Sequence, residues 1–290
     1  MESFDIIKLY SLTEKVLNQL SAWLPPVPID NDWKAHAYKW RKQGTQGYLH
    51  PIYNISKIDI NDLHNISRQK NIIDNNTFQF IKGKPANNVL MTGARGTGKS
   101  SLVKAMLDKY HSDGLRLIEI EKSDLNDLFS IVEIIADRPE KFIIFCDDLS
   151  FEEGESGYKE LKSILDGSIS STGTNILIYA TSNRRHLIPE NFNDNLQKTI
   201  EENGDIHPGE RVEEKISLSE RFGIWISFYP FNQETYLSIV SFWINKIRGT
   251  NIDNRNEFRN EAIQWALERG SRSGRIAHQF ARHWIAQHDR

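Results

Sequence analysis

The chain has 290 residues, 39% hydrophobic and 26% charged side chains and a formal net charge of −3. These are the values of a folded globular protein of one large or two small domains. The near-neutral balance excludes a general attraction to polyanions, so any nucleic-acid contact would need a local basic patch. The single cysteine, Cys146, excludes an intramolecular disulfide.

The N-terminal stretch MESFDIIKLYSLTEKVLNQL carries acids where a secretory signal would carry a basic start and an apolar run. No apolar run approaches the ~20 residues that span a bilayer. The expectation is a cytoplasmic protein with no membrane partner. Residues 4–24 place Ile6, Leu9, Tyr10, Val16, Leu17, Leu20 and Leu24 near one helical face, and PPVP at 25–28 stops that helix. In WKAHAYKWRKQGTQGYLHP, Trp33, Ala37 and Trp40 share a helical face that is expected to pack against the core. Residues 66–80 read as another helix, and GKPANN at 83–88 as a loop.

From there strands and helices alternate. The strands are NVLMT (88–92), LRLIEI (115–120), KFIIFC (141–146), NILIYATS (175–182) and GIWISFY (223–229). Helices fall between them at about 99–111, 124–136 and 157–166, with Ser123 or Asp124 as the cap of the second. The continuous apolar runs are those of strands buried on both faces. Residues 232–289 hold three helical segments. The pattern predicts an α/β fold, an αβα sandwich on a parallel five-stranded sheet. It divides the chain into an N-terminal helical or strap region (1–60), an α/β domain (61–231) and a small C-terminal helical domain (232–290).

MTGARGTGKSS contains Gly93, Gly98, Lys99 and Ser100 in the spacing G-x-x-x-x-G-K-[ST]. Glycines let backbone N–H groups turn inward around phosphate oxygens, and the helix that follows offers its positive N-terminal end to the same charge. The loop from Gly93 through Ala94, Arg95, Gly96, Thr97, Gly98, Lys99, Ser100 and Ser101 is therefore the expected nucleotide cradle. Lys99 would reach the β- and γ-phosphates and the Ser100 hydroxyl would ligate Mg²⁺. KFIIFCDDLS ends an apolar strand in Asp147 and Asp148, at the strand end where open α/β sheets bind ligands. Asp147 is the expected second holder of the metal, and Asp148 the group that polarises water. Asn183, after the strand NILIYATS, is placed to touch that water or the γ-phosphate.

Taken in order, these pieces, an S-E-R-F-G box and a helical tail resemble the AAA+ ATPases over residues 60–290. Around FCDDLSFE, TSNRRHL and HPGE-x-x-EEKISLS-x-RFG the chain looks closer still to one bacterial branch of that class. The resemblance implies ATP and Mg²⁺ as ligands, Walker A at Gly93 to Ser100, Walker B at Asp147 and Asp148, and a sensor at Asn183. It implies that the C-terminal helices form a lid, with Arg275 as its sensor arginine. It also implies that NISRQKNIIDNN (65–76), with Ile66, borders the adenine. Arg221 would be the arginine that reaches a neighbouring subunit's γ-phosphate, with Arg184, Arg185 and Arg211 as rivals. Asp148 is one methylene shorter than the glutamate common in the class.

The resemblance further implies a homo-oligomeric ring, a hexamer among the candidate sizes, acting on a protein partner. EKSDLNDLFS, after the second strand of the α/β domain, holds no aromatic–glycine pair, which disfavours a polypeptide-threading pore. The lid arginines and WKAHAYKWRKQ keep a nucleic-acid-linked ATPase open as the second reading, because aromatics among cations can stack bases. A nucleotide-dependent scaffold with little turnover is the third. His278, His283 and His288 stand five apart, about 140° per step on a helix, and do not share the face a zinc pair needs.

Overall fold

The computed structural model describes residues 10–16, 31–44, 46–151, 157–167, 175–184, 199–200, 206–207, 218–249 and 256–288. Nine strands are present among them: β1 (Ala37–Gln43), β2 (Gln46–Ile52), β3 (Val89–Gly93), β4 (Leu115–Ile120), β5 (Lys141–Cys146), β6 (Ile176–Ser182), the short antiparallel pair β7 (Thr199–Ile200) and β8 (Ile206–His207), and β9 (Ile224–Phe228). The main helices are α1 (Ser67–Ile81), α2 (Lys99–Tyr110), α3 (Leu128–Ile135), α4 (Tyr158–Leu165), α5 (Gln233–Arg248), α6 (Asn256–Glu268) and α7 (Gly274–His288). Of the helix expected over 4–24, residues 10–16 are helical and the rest lies outside the described residues.

The α/β class holds, but the sheet has seven strands, not five, in the order β2-β1-β4-β5-β6-β3-β9. The two extra strands come from the segment expected to be helical. Trp40 and Ala37 do not sit on a helix; they belong to β1, which pairs antiparallel with β2 and parallel with β4. The spacing that decides is two: Tyr38 and Trp40 are buried, while Lys39 between them is partly exposed and Arg41 is exposed. Aromatic residues in alternation favour a half-buried strand. The hairpin closes in register, with Gln43 opposite Gln46 and Trp40 opposite Leu49. Gly47 makes room for the indole, since a Cβ there would stand 1.9 Å from Trp40 Cζ2.

The hairpin also corrects the start of α3. Lys122–Asp127 form a 3-10 turn, and neither Ser123 nor Asp124 caps the α-helix. Asp127 instead accepts from Trp40 Nε1 at 2.9 Å and pairs with Lys42 at 2.7 Å. The acids of this turn are held by the hairpin, so the helix begins one turn later.

The sheet carries a core on each face, and strict alternation along the strands feeds both. Phe142, Ile144 and Cys146 point to one side, with Leu128, Ile131, Ile135, Leu161 and Ile164 from α3 and α4. Ile143 and Phe145 point to the other, with Ile73 and Phe80 of α1 and Leu102, Val103 and Met106 of α2. Burying a side chain of this size contributes about 1.5–3 kcal/mol. Burial pushes the Cys146 thiol up to about 12, the state of an inert core residue.

One polar tie crosses this second face. The buried Tyr179 hydroxyl accepts from Asn76 Nδ2 at 3.0 Å and hydrogen-bonds Thr77 Oγ1 at 2.9 Å. Asn76 also bonds both backbone groups of Asn87 at 2.9 Å. The C-terminal half of α1 is thereby tied to β6 and to the segment that leads into β3.

The three C-terminal helices form their own core around Tyr236, Val240, Ile244, Phe258, Phe280 and Trp284. Asn232 Oδ1 accepts from Thr235 N–H at 2.8 Å and starts α5. Among the described residues no helix is long and apolar enough to cross a membrane.

Candidate functional site

Strands β5, β6 and β3 are parallel neighbours, so their carboxyl ends open on one side. Asp147 and Asp148 follow β5, Asn183 follows β6 by one residue, and the glycine-rich loop follows β3. The loop's shape is set by close approaches and by backbone sign. Gly93, Gly96 and Gly98 have φ of 124°, 71° and 103°, which L side chains rarely adopt. A Cβ on Gly93 would meet Phe228 O at 1.9 Å, and one on Gly96 would meet Ser273 Oγ at 2.7 Å.

Lys99 is 6% exposed. Its ammonium donates to Gly93 O at 2.7 Å, Ala94 O at 2.8 Å and Asn183 Oδ1 at 3.1 Å. Burial pulls its pKa below the ordinary lysine value, against the opposing pull of Asp147 and Asp148. A cation in that state gains from any anion placed beside it. Thr97 Oγ1 donates to Ala94 O at 2.8 Å and holds the loop's turn.

The two carboxylates are oriented by the neighbouring strand. Ser100 Oγ donates to Asp147 Oδ1 at 2.6 Å, and Thr181 Oγ1 donates to the same oxygen at 2.5 Å. Thr181 Oγ1 also accepts from Asp148 N–H at 3.0 Å, and Leu149 N–H donates to Thr181 O at 2.7 Å. Asp148 has φ 53°, a left-handed conformation that aspartate tolerates better than most residues. In that conformation its Oδ1 accepts from Asn183 Nδ2, and its Oδ2 lies 3.4 Å from Arg95 Nη2.

These groups share a cavity of about 520 Å³. It is lined by Ile66, Arg95 to Ser101, Asp147, Asp148, Asn183 and Arg275, all anticipated from the sequence. The loop's first two residues, Gly93 and Ala94, meet Lys99 through their carbonyls instead. Sequence reasoning does not single out Thr181, and the strand's TSN ending is the signal that carries it. It also misses the apolar end of the cavity, where Leu63 and His64 face Ile239 and Trp243 of α5 and His278 of α7. That end mixes three distant segments, and no local motif marks it.

The C-terminal helices touch the loop directly. Gly274 N–H donates to Gly96 O at 2.9 Å, and Arg275 is the second residue of α7. Arg221 is not among the residues lining the cavity; its guanidinium pairs with Asp166. Arg184 directly follows Asn183, and its N–H donates to Ser182 Oγ at 3.2 Å. Arg185 and Arg211 lie outside the described residues. The three spaced histidines rest against three tryptophans, His278 on Trp243 at 4.5 Å, His283 on Trp265 at 4.6 Å and His288 on Trp284 at 4.4 Å between centroids.

Fold and site together define a mostly parallel α/β chain whose glycine-rich strand-to-helix loop faces paired carboxylates across an open cavity. The chain belongs to the family described as "Protein of unknown function (DUF815)", which matches residues 33–288. No curated protein matches it. Among solved structures it is similar to the Thermotoga maritima RuvB Holliday junction branch migration motor, at 13% identity and a TM-score of 0.47 over 79% of this chain and 64% of that one. It is also similar to C. elegans PCH-2, at 17% identity and a TM-score of 0.45 over 76% of this chain and 63% of that one. The chain thus spans less than two thirds of the length of either.

Proposed function

We propose that this protein is an ATPase of the AAA+ class that binds ATP with Mg²⁺ in the cavity between the α/β unit and the C-terminal helices. In this reading residues 61–231, extended at the sheet edge by the β1–β2 hairpin, form its nucleotide-binding domain and 232–290 its lid. One observation carries the reading. A buried lysine, a serine–aspartate pair and an asparagine–aspartate pair converge around one cavity at the ends of three adjacent parallel strands. That is the set of groups phosphoryl transfer to water requires.

Each group has a distinct task in this reading. Lys99 gives up its backbone carbonyls for the β- and γ-phosphates, and the loop N–H groups and the start of α2 hold the same oxygens. Ser100 Oγ and Asp147 would hold Mg²⁺. Their oxygen donors suit it, because Mg²⁺ takes one or two carboxylates together with substrate phosphates. When bound, it supplies charge neutralisation on the phosphate chain. Asp148 accepts the proton of the attacking water and Asn183 orients that water. Arg275 reaches the nucleotide from the lid of its own chain. Leu63, Ile66, Ile239 and Trp243 offer the apolar walls for the adenine.

Arg221 acts on the site of the adjacent subunit in a homo-oligomeric ring. It must first leave Asp166, an exposed partner it can exchange at little cost. The work done by hydrolysis is the remodelling of a protein partner.

The test is the ATPase rate per subunit against protein concentration, with a fixed share of Lys99→Ala subunits mixed in. The reading predicts a rate that rises with concentration and changes on mixing. It also predicts that Arg221→Ala keeps ATP affinity while losing most turnover. A flat rate, indifferent to mixing and to Arg221→Ala, would refute the shared site.

A further inference from the structure

The third residue of the glycine-rich loop is an arginine whose side chain is 77% exposed, beside a lysine that is buried. Arg95 lines the same cavity as Lys99, Asp148 and Asn183. It is also one end of a chain of polar contacts. Arg95 Nη2 faces Asp148 Oδ2 at 3.4 Å, Asp148 Oδ1 accepts from the Asn183 amide, and Asn183 Oδ1 accepts from Lys99 at 3.1 Å. Both oxygens of the carboxylate assigned to the attacking water are therefore engaged. An exposed ion pair at this distance holds little free energy. A guanidinium prefers a phosphate, which carries more charge than a carboxylate and matches its planar fork with two oxygens.

Resting on the ATPase reading above, we propose that Arg95 is a further arginine for hydrolysis, supplied within the chain beside Arg275. It leaves Asp148 for the γ-phosphate when a nucleoside triphosphate binds, and so frees Asp148 for the water. The ligand that makes this exchange is the triphosphate and not the diphosphate, because only the former brings a γ-phosphate to the mouth of the loop. In the step itself the water oxygen forms a bond to the γ-phosphorus while the bond from that phosphorus to the β–γ bridging oxygen breaks. The bridging electron pair stays on the diphosphate and the water proton passes to Asp148, which later releases it to solvent. Arg95 neutralises the negative charge that collects on the γ-phosphoryl oxygens. Arg95 thus couples occupancy of the γ-phosphate position to release of the base, a task that does not fall to Lys99, whose ammonium bonds Asn183 Oδ1 and not Asp148.

The experiment compares full-length wild type, Arg95→Ala, Arg95→Lys, Asp148→Asn and the Arg95→Ala/Asp148→Asn double variant. ATP and ADP affinities are measured by titration, and phosphate release by single-turnover mixing at several protein concentrations. Arg95→Ala is expected to lose ten-fold or more in ATP affinity relative to ADP and in single-turnover rate. The defect should be equal at every protein concentration and should not be rescued by admixed Lys99→Ala subunits. Arg95→Lys should recover little, since an ammonium lacks the fork. Asp148→Asn should tighten ATP binding by removing the competing carboxylate, and this gain should vanish in the double variant.

A wild-type ATP/ADP ratio and rate in Arg95→Ala would overturn the proposal. So would rescue in mixtures, which would make Arg95 act between subunits, and so would faster turnover, which would make it only a brake on Asp148. The parent reading is judged on wild type alone. A wild type that neither binds nor hydrolyses ATP refutes that reading and this proposal together, whereas an active wild type leaves the outcome to Arg95.

Discussion

At the scale of single residues, the site turns on how two adjacent aspartates are made different. Asp147 takes two hydroxyl donors on one oxygen, from Ser100 and Thr181, and Asp148 takes an amide and a guanidinium. Thr181 stands behind both, because its hydroxyl donates to Asp147 and accepts from the Asp148 N–H. Thr181→Val keeps the shape and removes that hydroxyl. The expected cost is about 1–3 kcal/mol of stability, the penalty for leaving polar groups unpaired. Mg²⁺-dependent ATP binding should weaken with it, read by thermal melting and by nucleotide titration across Mg²⁺ concentrations. Unaltered Mg²⁺ dependence would remove Thr181 from the site.

The individual residues were legible where the chain itself brings chemistry together. Lys99 and Ser100 follow the glycines directly, and Asp147 and Asn183 each sit at the end of an apolar run. Thr181 is marked only by the TSN ending of its strand, and His64 and Trp243 are not legible at all. The importance of those two comes from distant segments meeting in space, and the residues around them carry no spacing that marks it.

At the scale of elements, hydrophobic pattern located the buried strands to within a residue, since a run such as KFIIFC can hardly be anything else when both faces are covered. The hairpin of β1 and β2 differs from the helix expected there because two periods compete in WKAHAYKWRKQ. Trp33, Ala37 and Trp40 fit a helix, while Tyr38 and Trp40 fit a strand. The glycines at 44 and 47 decide for the strand, one at the turn and one beneath the indole. The same hairpin claims Asp127 and moves the start of α3, so one misread element displaced the next.

Trp40 ties the hairpin to that turn and is 2% exposed. Trp40→Ala is predicted to cost about 3–5 kcal/mol in urea unfolding, the range for emptying a buried aromatic site. A loss below 1 kcal/mol would mean that the hairpin only rests on the sheet.

At the scale of the whole molecule, the C-terminal helices and the α/β unit meet at the glycine-rich loop. Gly274 N–H bonds Gly96 O, and Ser273 fills the space a side chain on Gly96 would need. Gly96→Ala is therefore expected to push the C-terminal helices off the loop and weaken nucleotide binding far more than its size suggests, as titration with a fluorescent nucleotide would show. Normal affinity would mean that the contact is dispensable.

The same junction makes the fold sensitive to acid. Burial holds the His64 and His278 imidazoles below their ordinary pKa of 6.5, as it does His36 at the hairpin. A folded-state pKa below the unfolded one means that the unfolded chain binds more protons between the two values. The stability these neutral rings contribute is thus fully present above pH 6.5 and is lost as pH falls through their lowered values. Melting temperature should drop over that window, and His278→Gln should flatten the slope.

The central claim is that the cavity beside Lys99 and Asp148 cleaves ATP, and one side-by-side measurement tests it most directly. Wild type, Lys99→Ala and Asp148→Asn are titrated with ATP in Mg²⁺ and assayed for phosphate release under the same conditions. The account predicts binding and release by wild type, neither by Lys99→Ala, and binding with no release by Asp148→Asn. Equal release by all three would contradict it, as would a wild type that leaves ATP unbound and intact.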